Sequence, residues 1–416
     1  MLLVYLFVTY ICIIISRLIY KQKINPISLY CVLWFICFFF HESGIIYFLP
    51  ISTNTFIMII IGNISVVVGG WIGSKLSNIK IKHNCFKDRS LMEKDFIMIK
   101  WITILSLICG IDVLIKFIQQ ISMYGANIFA NFAYRYSSQI REVQESDLDV
   151  SSLVFPLVVL LGMYIVKNGV NRNVIMPVCV IILFSLIQGS RGTLIIVMAL
   201  FISQITVLGG KKKINGDMKE NKNRRKLMFL FLILVIVVLL ITISRNQYFS
   251  ESSSSYSSNN IILGALESIA SYTAEGIGCL DKYMEQPIKA NYPQYFFRVP
   301  IIILNKLGVT NLDTRYHIPT YYIPESSNVI TYIGELYHDF GMLYGIIIVF
   351  LSCIFSYVYK KSTATNSIFY KMNYSAFFAM FSLSFFANFF HSASLWYVII
   401  IGGIISFTID KKIFKI

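Results

Sequence analysis

Long apolar stretches recur along this chain of 416 residues, and they constrain its fold more than any other feature. A bilayer core of about 30 Å is crossed by a helix of about 20 apolar residues, and stretches of that kind fill most of the sequence. Apolar residues make up 56% of the chain and charged residues only 14%, which leaves too little polar surface for a soluble globule. We therefore predict an all-α, polytopic integral membrane protein.

Eleven of these stretches are predicted to span the membrane. They run from Leu2 to Tyr20, Ile27 to Leu49, Thr55 to Gly73, Phe96 to Ile118, Ser152 to Val166, Val174 to Gln188, Thr193 to Leu208, Leu227 to Ser244, Met342 to Tyr359, Tyr374 to Phe390 and Leu395 to Ile409. Twelve spans are the alternative, if the short middle stretches or residues 41–50 divide differently.

Basic residues indicate the orientation, because Lys and Arg concentrate in cytoplasmic loops. With eleven spans, 25 of the 36 Lys and Arg residues fall in loops on one side and nine on the other. We expect the N-terminus outside, the C-terminus in the cytoplasm and no cleaved signal peptide. The net charge of +15 follows from this topology and does not indicate a nucleic-acid partner.

The hydrophobic pattern stops for about a quarter of the chain, over residues 244–340, which we call the interlude. It is predicted to form a large outer lid over a single membrane domain, residues 1–416, which has a second outer loop at residues 119–151.

Within the interlude, serine-rich residues 249–260 are predicted to be mobile. Residues 261–284 predict an amphipathic helix with Asp281 off its apolar stripe. Residues 295–307 predict an interfacial or re-entrant half-helix, interrupted by Pro300, that aims Arg298 inward.

Arginine is enriched on the predicted outer side, where six of nine basic residues are Arg, against five of 25 inside. A planar guanidinium binds phosphate oxygens through two hydrogen bonds, whereas lysine acts as a point charge. We therefore predict outward-facing phosphate ligands: Arg191, in the string GSRGT between two spans, Arg245, which closes a span, and Arg298 and Arg315. Snorkelling to lipid headgroups and pairing with carboxylates are the alternatives.

Three residues of the interlude are candidates to accept a proton from a hydroxyl: His317, Glu335 and Asp339. Glu335 and Asp339 share a helix face at i and i+4, although both acids can also serve only to solvate a helix start. Tyrosines of the loop at residues 311–327, namely Tyr316, Tyr321 and Tyr322, suit sugar binding by stacking and hydrogen bonding. The histidines lie at no metal-ligand spacing from Cys or carboxylates, so we expect no metal site.

Four motifs together resemble the Wzy-type O-antigen polymerases, which join oligosaccharide repeat units of bacterial surface polysaccharides. They are GSRGT at residues 189–193, the arginine that closes the span before the long outer loop, FRVP at residues 297–300 and GELYHDFG at residues 334–341. The resemblance covers the architecture of the whole chain. Paired arginine-to-glycine motifs described for some members have no clear counterpart here.

The resemblance implies a GT-C-like membrane glycosyltransferase of the bacterial inner membrane that makes O-antigen, capsular or exopolysaccharide. Its substrates would be undecaprenyl-diphosphate-linked oligosaccharides in membrane lipid. The enzyme would transfer the growing glycan to the non-reducing end of a new lipid-linked unit. The four arginines would bind the diphosphate, with no cofactor and no metal. A flippase and a chain-length regulator of the same pathway are further expected partners.

Other functions remain open on the sequence alone. An O-antigen ligase would share the spans, the large outer loop and the Arg and His chemistry but use another acceptor. A flippase or transporter of lipid-linked glycans would keep its charges within the spans, where this chain has few, among them Asp112 and Lys116 at i and i+4. A non-enzymatic scaffold is the remaining alternative.

Overall fold

The structure is a computed structural model. It describes residues 1–22, 24–44, 48–78, 90–124, 149–188, 191–209, 261–288, 290, 292–314, 319–323, 326–327 and 329–411. Thirteen α-helices lie in these ranges, with three short 3-10 helices and one pair of two-residue strands.

The helices of the described ranges are α1 (Leu2–Tyr20), α2 (Pro26–Glu42), α3 (Thr53–Leu76), α4 (Leu91–Tyr124), α5 (Val154–Asn168), α6 (Arg172–Gln188), α7 (Arg191–Gly209), α8 (Ile261–Glu285), α9 (Arg298–Lys306), α10 (Thr331–Phe340), α11 (Tyr344–Ala364), α12 (Ile368–Ser382) and α13 (Ala393–Asp410). The strands β1 (Tyr321–Tyr322) and β2 (Ser326–Ser327) pair antiparallel.

Six helical segments of the described residues are long and apolar enough to cross a membrane: Leu2–Tyr20, Thr53–Leu76, Leu91–Gln119, Val150–Asn168, Thr331–Ala364 and Ala393–Asp410. Three shorter apolar helices are Pro26–Glu42, Arg172–Gln188 and Gly192–Val207. The all-α character and the presence of several helices compatible with membrane crossing are confirmed. The predicted eighth span, residues 227–244, lies outside the described residues, as does the serine-rich stretch.

Helices α2, α7 and α12 differ from their predicted bounds. Helix α2 ends at Glu42 instead of Leu49, and Phe48 beyond it packs against alanines of α8. Helix α12 begins at Ile368, six residues before the predicted start at Tyr374. It ends at Ser382, eight residues before the predicted end at Phe390. Its early start is stabilised by the Asp410 carboxylate, which accepts the backbone N–H of Phe369 in the first turn at 3.1 Å. Helix α7 begins at Arg191, so the predicted connection GSRGT ends sooner than expected.

The chain forms two compact units, and the first comprises residues 1–81, 267–365 and 377–396. Its centre is the pair α3 and α11, which approach closely because small residues face each other. A Cβ atom at Gly69 or Gly73 would lie only 2.2 or 2.0 Å from a carbonyl oxygen of α11. Ser352 and Ser356 of α11 donate hydrogen bonds to α3 carbonyl oxygens at 2.6 and 2.7 Å. The two backbones are therefore in direct contact.

The predicted amphipathic helix exists as α8 and lies against the ends of α2 and α3 in the first unit. Asp281 is buried, contrary to prediction, because its carboxylate accepts hydrogen bonds from the backbone N–H and hydroxyl of Ser52, at 2.8 and 2.7 Å. A small core beside α8 contains the buried side chains of Cys279, Tyr283, Tyr295, Ile323 and Ile330. This core joins α8, the segment before α9, the strand pair and the residue before α10.

Helix α9 corrects the prediction of an interrupted half-helix. Pro300 is the third residue of a continuous helix that begins at Arg298. Proline is tolerated in the first turn of a helix, where its missing N–H has no intrahelical acceptor to serve. Val299, Ile301 and Ile302 form the buried face.

The second unit comprises residues 82–266, 366–376 and 397–416. Helix α5 is buried on every side from Val154 to Val166, as expected of a central helix. The predicted pair of Lys116 and Asp112 is confirmed at 2.9 Å, and Lys116 also pairs with Asp149. Pairing of this kind lowers the cost of placing charges in an apolar helix.

Candidate functional site

Helix α10 carries three ionisable side chains of the interlude on one short element. Its first residue, Thr331, has a φ of 60°, a left-handed conformation that is strained for a β-branched residue. Its end is set by Gly341, whose φ of 58° and ψ of −135° are accessible only to glycine. Between them lie Glu335, His338 and Asp339, and all three make contacts with other elements of the first unit.

Glu335 contacts His391 through its carboxylate. The Glu335 Oε2 atom lies 3.0 Å from His391 Nδ1. The carboxylate side chain has no solvent exposure, while the imidazole is 21% exposed. A buried carboxylate is costly unless it has a partner, so the contact with His391 stabilises the carboxylate and orients the imidazole ring. This arrangement of an acid behind a partly exposed histidine is the one that sets an imidazole tautomer in acid–base catalysis.

His391 was not among the predicted site residues. It ends the 3-10 helix Phe389–His391, which the Asn388 side chain caps by accepting the Phe390 N–H at 3.3 Å. The indole N–H of Trp396 donates to the Phe390 carbonyl at 2.6 Å and holds the turn from the other side. The available signal was topological, since the predicted spans place residues 391–394 on the same side of the membrane as the interlude.

His338 serves the packing of α8. Its Nδ1 lies 3.1 Å from the hydroxyl of Tyr283, and its ring stacks on Tyr295 with the ring centres 4.8 Å apart. Burial raises the pKa of the Tyr283 hydroxyl well above its ordinary range, so that group stays protonated. The Tyr283 hydroxyl also donates a hydrogen bond to the Ile288 carbonyl at 2.8 Å. His338 and Tyr283 therefore join α8 to α10 through buried polar contacts.

Asp339 contacts the segment that leads into α9. Its Oδ1 accepts the backbone N–H of Tyr295 at 3.3 Å, and its Oδ2 accepts that of Phe296 at 2.6 Å. Both carboxylate oxygens thus accept backbone hydrogen bonds, and the side chain is half-buried. These contacts are typical of a structural anchor.

Arg298 is half-buried at the start of α9. Its Nε donates to the Thr314 carbonyl at 3.0 Å, which sets the plane of the guanidinium group. Tyr292 donates from its hydroxyl to the neighbouring Asp313 carbonyl at 2.6 Å and stabilises the same loop. The first unit therefore holds one of the predicted phosphate ligands in a defined orientation.

The other predicted residues divide into two groups. His317, Arg245, Arg315 and Tyr316 lie outside the described residues, as does the side chain of Arg191, whose backbone opens α7. Of the predicted sugar-binding residues, Tyr321 is partly buried and packs against the small core beside α8. Tyr322 is 78% exposed and is accessible to a ligand.

The first unit thus carries Glu335 and Asp339 on α10 and places His391 beside Glu335. The described residues contain no group of three His, Cys, Asp or Glu side chains placed to hold a metal ion. What the arrangement offers chemically is an oriented imidazole for proton transfer and a guanidinium for an anionic group.

Comparison with known proteins identifies no relative of this chain. No family model, no curated protein and no solved structure matches the chain. An assignment of function must therefore rest on the side chains themselves and on the motifs of the interlude.

Proposed function

We propose that this chain is a membrane polysaccharide polymerase. It transfers a growing glycan from undecaprenyl diphosphate to the non-reducing end of the next lipid-linked repeat unit, on the outer face of a bacterial inner membrane. The proposal is carried by the pair of Glu335 and His391, in which a buried carboxylate orients a partly exposed imidazole at 3.0 Å. It replaces His317 and Asp339 by His391 as the residue that receives the acceptor proton.

The proposed step forms a bond between the acceptor hydroxyl oxygen and the anomeric carbon of the donor glycan. The bond from that carbon to the diphosphate oxygen breaks, and its electron pair leaves with the lipid diphosphate. The hydroxyl proton passes to Nε2 of His391, and the Glu335 carboxylate stabilises the imidazolium through Nδ1. A positioned base of this kind contributes about 10²- to 10⁴-fold to the rate.

Charge that builds up on the departing diphosphate needs donors fixed in place. Arg298 supports this role because its Nε contact with Thr314 fixes the guanidinium plane. Arg191, Arg245 and Arg315 are proposed as further diphosphate ligands. Each charge-assisted hydrogen bond of this type contributes about 1.5–3 kcal/mol. Tyr322, with its exposed ring, is proposed to stack on a sugar of the substrate, together with Tyr316.

The proposal is tested in the source bacterium by exchanging the native gene for variants and measuring the ladder of surface glycan lengths. We expect His391→Gln, Arg298→Ala and Arg245→Ala to leave single repeat units with normal amounts of the protein in the membrane. The matched control is Glu285→Gln, at an exposed residue that pairs with Lys282 at the end of α8. Wild-type ladders from both arginine variants would contradict the diphosphate assignment.

The same experiment separates a polymerase from an O-antigen ligase. Loss of a polymerase leaves single units attached to the final acceptor, because no polymer is made. Loss of a ligase leaves polymer that is made but remains on the lipid carrier. Polymer of normal length that accumulates on lipid diphosphate in His391→Gln cells would replace the polymerase assignment with the ligase one.

A further inference from the structure

Two consecutive backbone N–H groups converge on the carboxylate of Asp339. The Tyr295 and Phe296 amides reach different oxygens, at 3.3 and 2.6 Å. A carboxyl group that accepts two adjacent backbone donors fixes both the position and the direction of that piece of chain, because hydrogen bonds are directional. Asp339 therefore holds the segment before α9 in place.

The held residues lie directly before the helix that begins with Arg298. Phe297, the residue before the helix, has no side-chain capping hydrogen bond, so the helix start is not fixed by its own cap. The place where Arg298 enters the helix thus depends on a residue 41 positions further along the chain.

The same segment is also fixed relative to the proposed proton acceptor. The Phe296 ring stacks on Phe390 with ring centres 5.4 Å apart and meets the edge of Phe340 at 5.5 Å. Phe390 directly precedes His391, and Phe340 directly follows Asp339. Phe296 is therefore held by its backbone on one side and by its ring on the other.

The head of Arg298 has a second point of support. Its Nε donates to the Thr314 carbonyl, 16 residues further along the chain. The backbone of Arg298 is thus placed from α10 and its guanidinium from the loop after α9. Two independent supports fix a side chain more narrowly than either support alone.

We infer that Asp339 is a positioning residue, which places Arg298 for the diphosphate of the lipid-linked glycan and does not itself take the acceptor proton. The inference rests on the proposed function, since it gives Arg298 its ligand. It predicts that the effects of Asp339 and Arg298 on diphosphate binding are coupled, because the first residue acts through the second.

The test is a double-mutant cycle on the full-length protein in lipid nanodiscs. The dissociation constant of undecaprenyl diphosphate is measured for wild type, Arg298→Ala, Asp339→Ala and the double variant. We expect each single change to weaken binding by about tenfold to a hundredfold. The double variant should bind little more weakly than Arg298→Ala alone. A near-isosteric variant, Asp339→Asn, keeps one acceptor oxygen and should lie between wild type and Asp339→Ala while retaining the folded structure.

Each other outcome overturns a defined claim. Additive losses would show that Asp339 acts independently of Arg298 and would end the positioning inference. If Asp339→Asn keeps its affinity but loses turnover of lipid-linked repeat units, measured in the same nanodiscs, Asp339 would be the proton acceptor instead. Unchanged affinity in Arg298→Ala would overturn the diphosphate role of that arginine in the proposed function, whatever Asp339 does.

Discussion

Glu335 and His391 are joined by a contact of 3.0 Å although 56 residues separate them in the chain. The contact ties α10, at the end of the interlude, to the short turn between α12 and α13. Because the Glu335 side chain has no exposure, it does not meet a substrate from solvent directly and can act on one through the imidazole that it holds. Glu335 therefore orients the imidazole ring, and His391 is the member of the pair that a substrate can reach.

Neutralising Glu335 should abolish most of the activity without unfolding the protein. Glutamine has nearly the same shape as glutamate, but it does not stabilise an imidazolium. We expect Glu335→Gln to lower kcat by about a hundredfold or more while KM changes little. Turnover is measured on purified protein with lipid-linked repeat units, and Glu285→Gln is the control. An unchanged kcat would remove Glu335 from the mechanism.

Tyr321 and Tyr322 are adjacent but should respond in opposite ways to replacement by alanine. Tyr322 is 78% exposed, so Tyr322→Ala should change stability by less than about 0.5 kcal/mol and raise the KM for glycan about two- to tenfold. Tyr321 packs against the small core beside α8, and burial raises the pKa of its hydroxyl. Tyr321→Ala should therefore cost about 1–3 kcal/mol of stability. Stability is measured by thermal unfolding and the KM for glycan by kinetics. Equal changes of stability and of KM in the two variants would contradict this prediction.

The labelling rate of Cys279 measures whether α8 stays packed against the ends of α2 and α3. Its thiol is fully buried, lies 3.4 Å from the Ser327 carbonyl, and burial raises its pKa to about 12. The protonated thiol should react slowly with a polar maleimide at pH 8, because the thiolate is the nucleophile. Asp281→Ala removes the contact with Ser52 and should raise the labelling rate of Cys279 at least several-fold.

The control for that measurement is Glu285→Ala, which changes an exposed acid on the same helix. Labelling is followed by mass spectrometry of the Cys279 peptide, so that the other cysteines do not contribute. Rapid labelling of the wild type would show that α8 is not packed as described.

Gly73 should not tolerate even a methyl group. A Cβ atom there would lie 2.0 Å from the Cys353 carbonyl oxygen, so Gly73→Ala must separate α3 from α11. We expect a loss of about 2 kcal/mol or more, measured as a lower Tm in detergent. Gly403 is the matched control, since its nearest neighbour would be a Phe369 ring atom at 3.6 Å. Gly403→Ala should be neutral or slightly stabilising, because alanine favours a helix.

Much of the fold was predictable because hydropathy and helix length are local properties. Helix α1 has the predicted bounds, and α8 was recognisable from its periodicity. The Asp112 and Lys116 pair was also predictable, since residues at i and i+4 share a helix face. The end of α2 and the start of α12 were missed, and both lie next to contacts with distant parts of the chain, made by Phe48 and Asp410.

The site was less predictable, because its contacts join distant parts of the chain. Glu335 and Asp339 were identified as acids on one helix face, but their partners were not. His391 lacks any local motif, and its role depends on a turn that brings it to α10. Asp281 was assigned to the polar face of α8, because its partner Ser52 lies 229 residues away. Pro300 was read as an interruption, although its position in the first turn makes it compatible with α9.

The central claim is tested most directly with the purified protein in proteoliposomes that contain the lipid-linked repeat unit of the source bacterium. Glycan length and released undecaprenyl diphosphate are measured together for wild type and His391→Gln. We predict that the wild type makes a ladder with one lipid diphosphate released for each new linkage, and that His391→Gln lowers both rates by about a hundredfold or more. A wild type that releases no lipid diphosphate, or a His391→Gln variant that builds the ladder at the wild-type rate, would contradict the account.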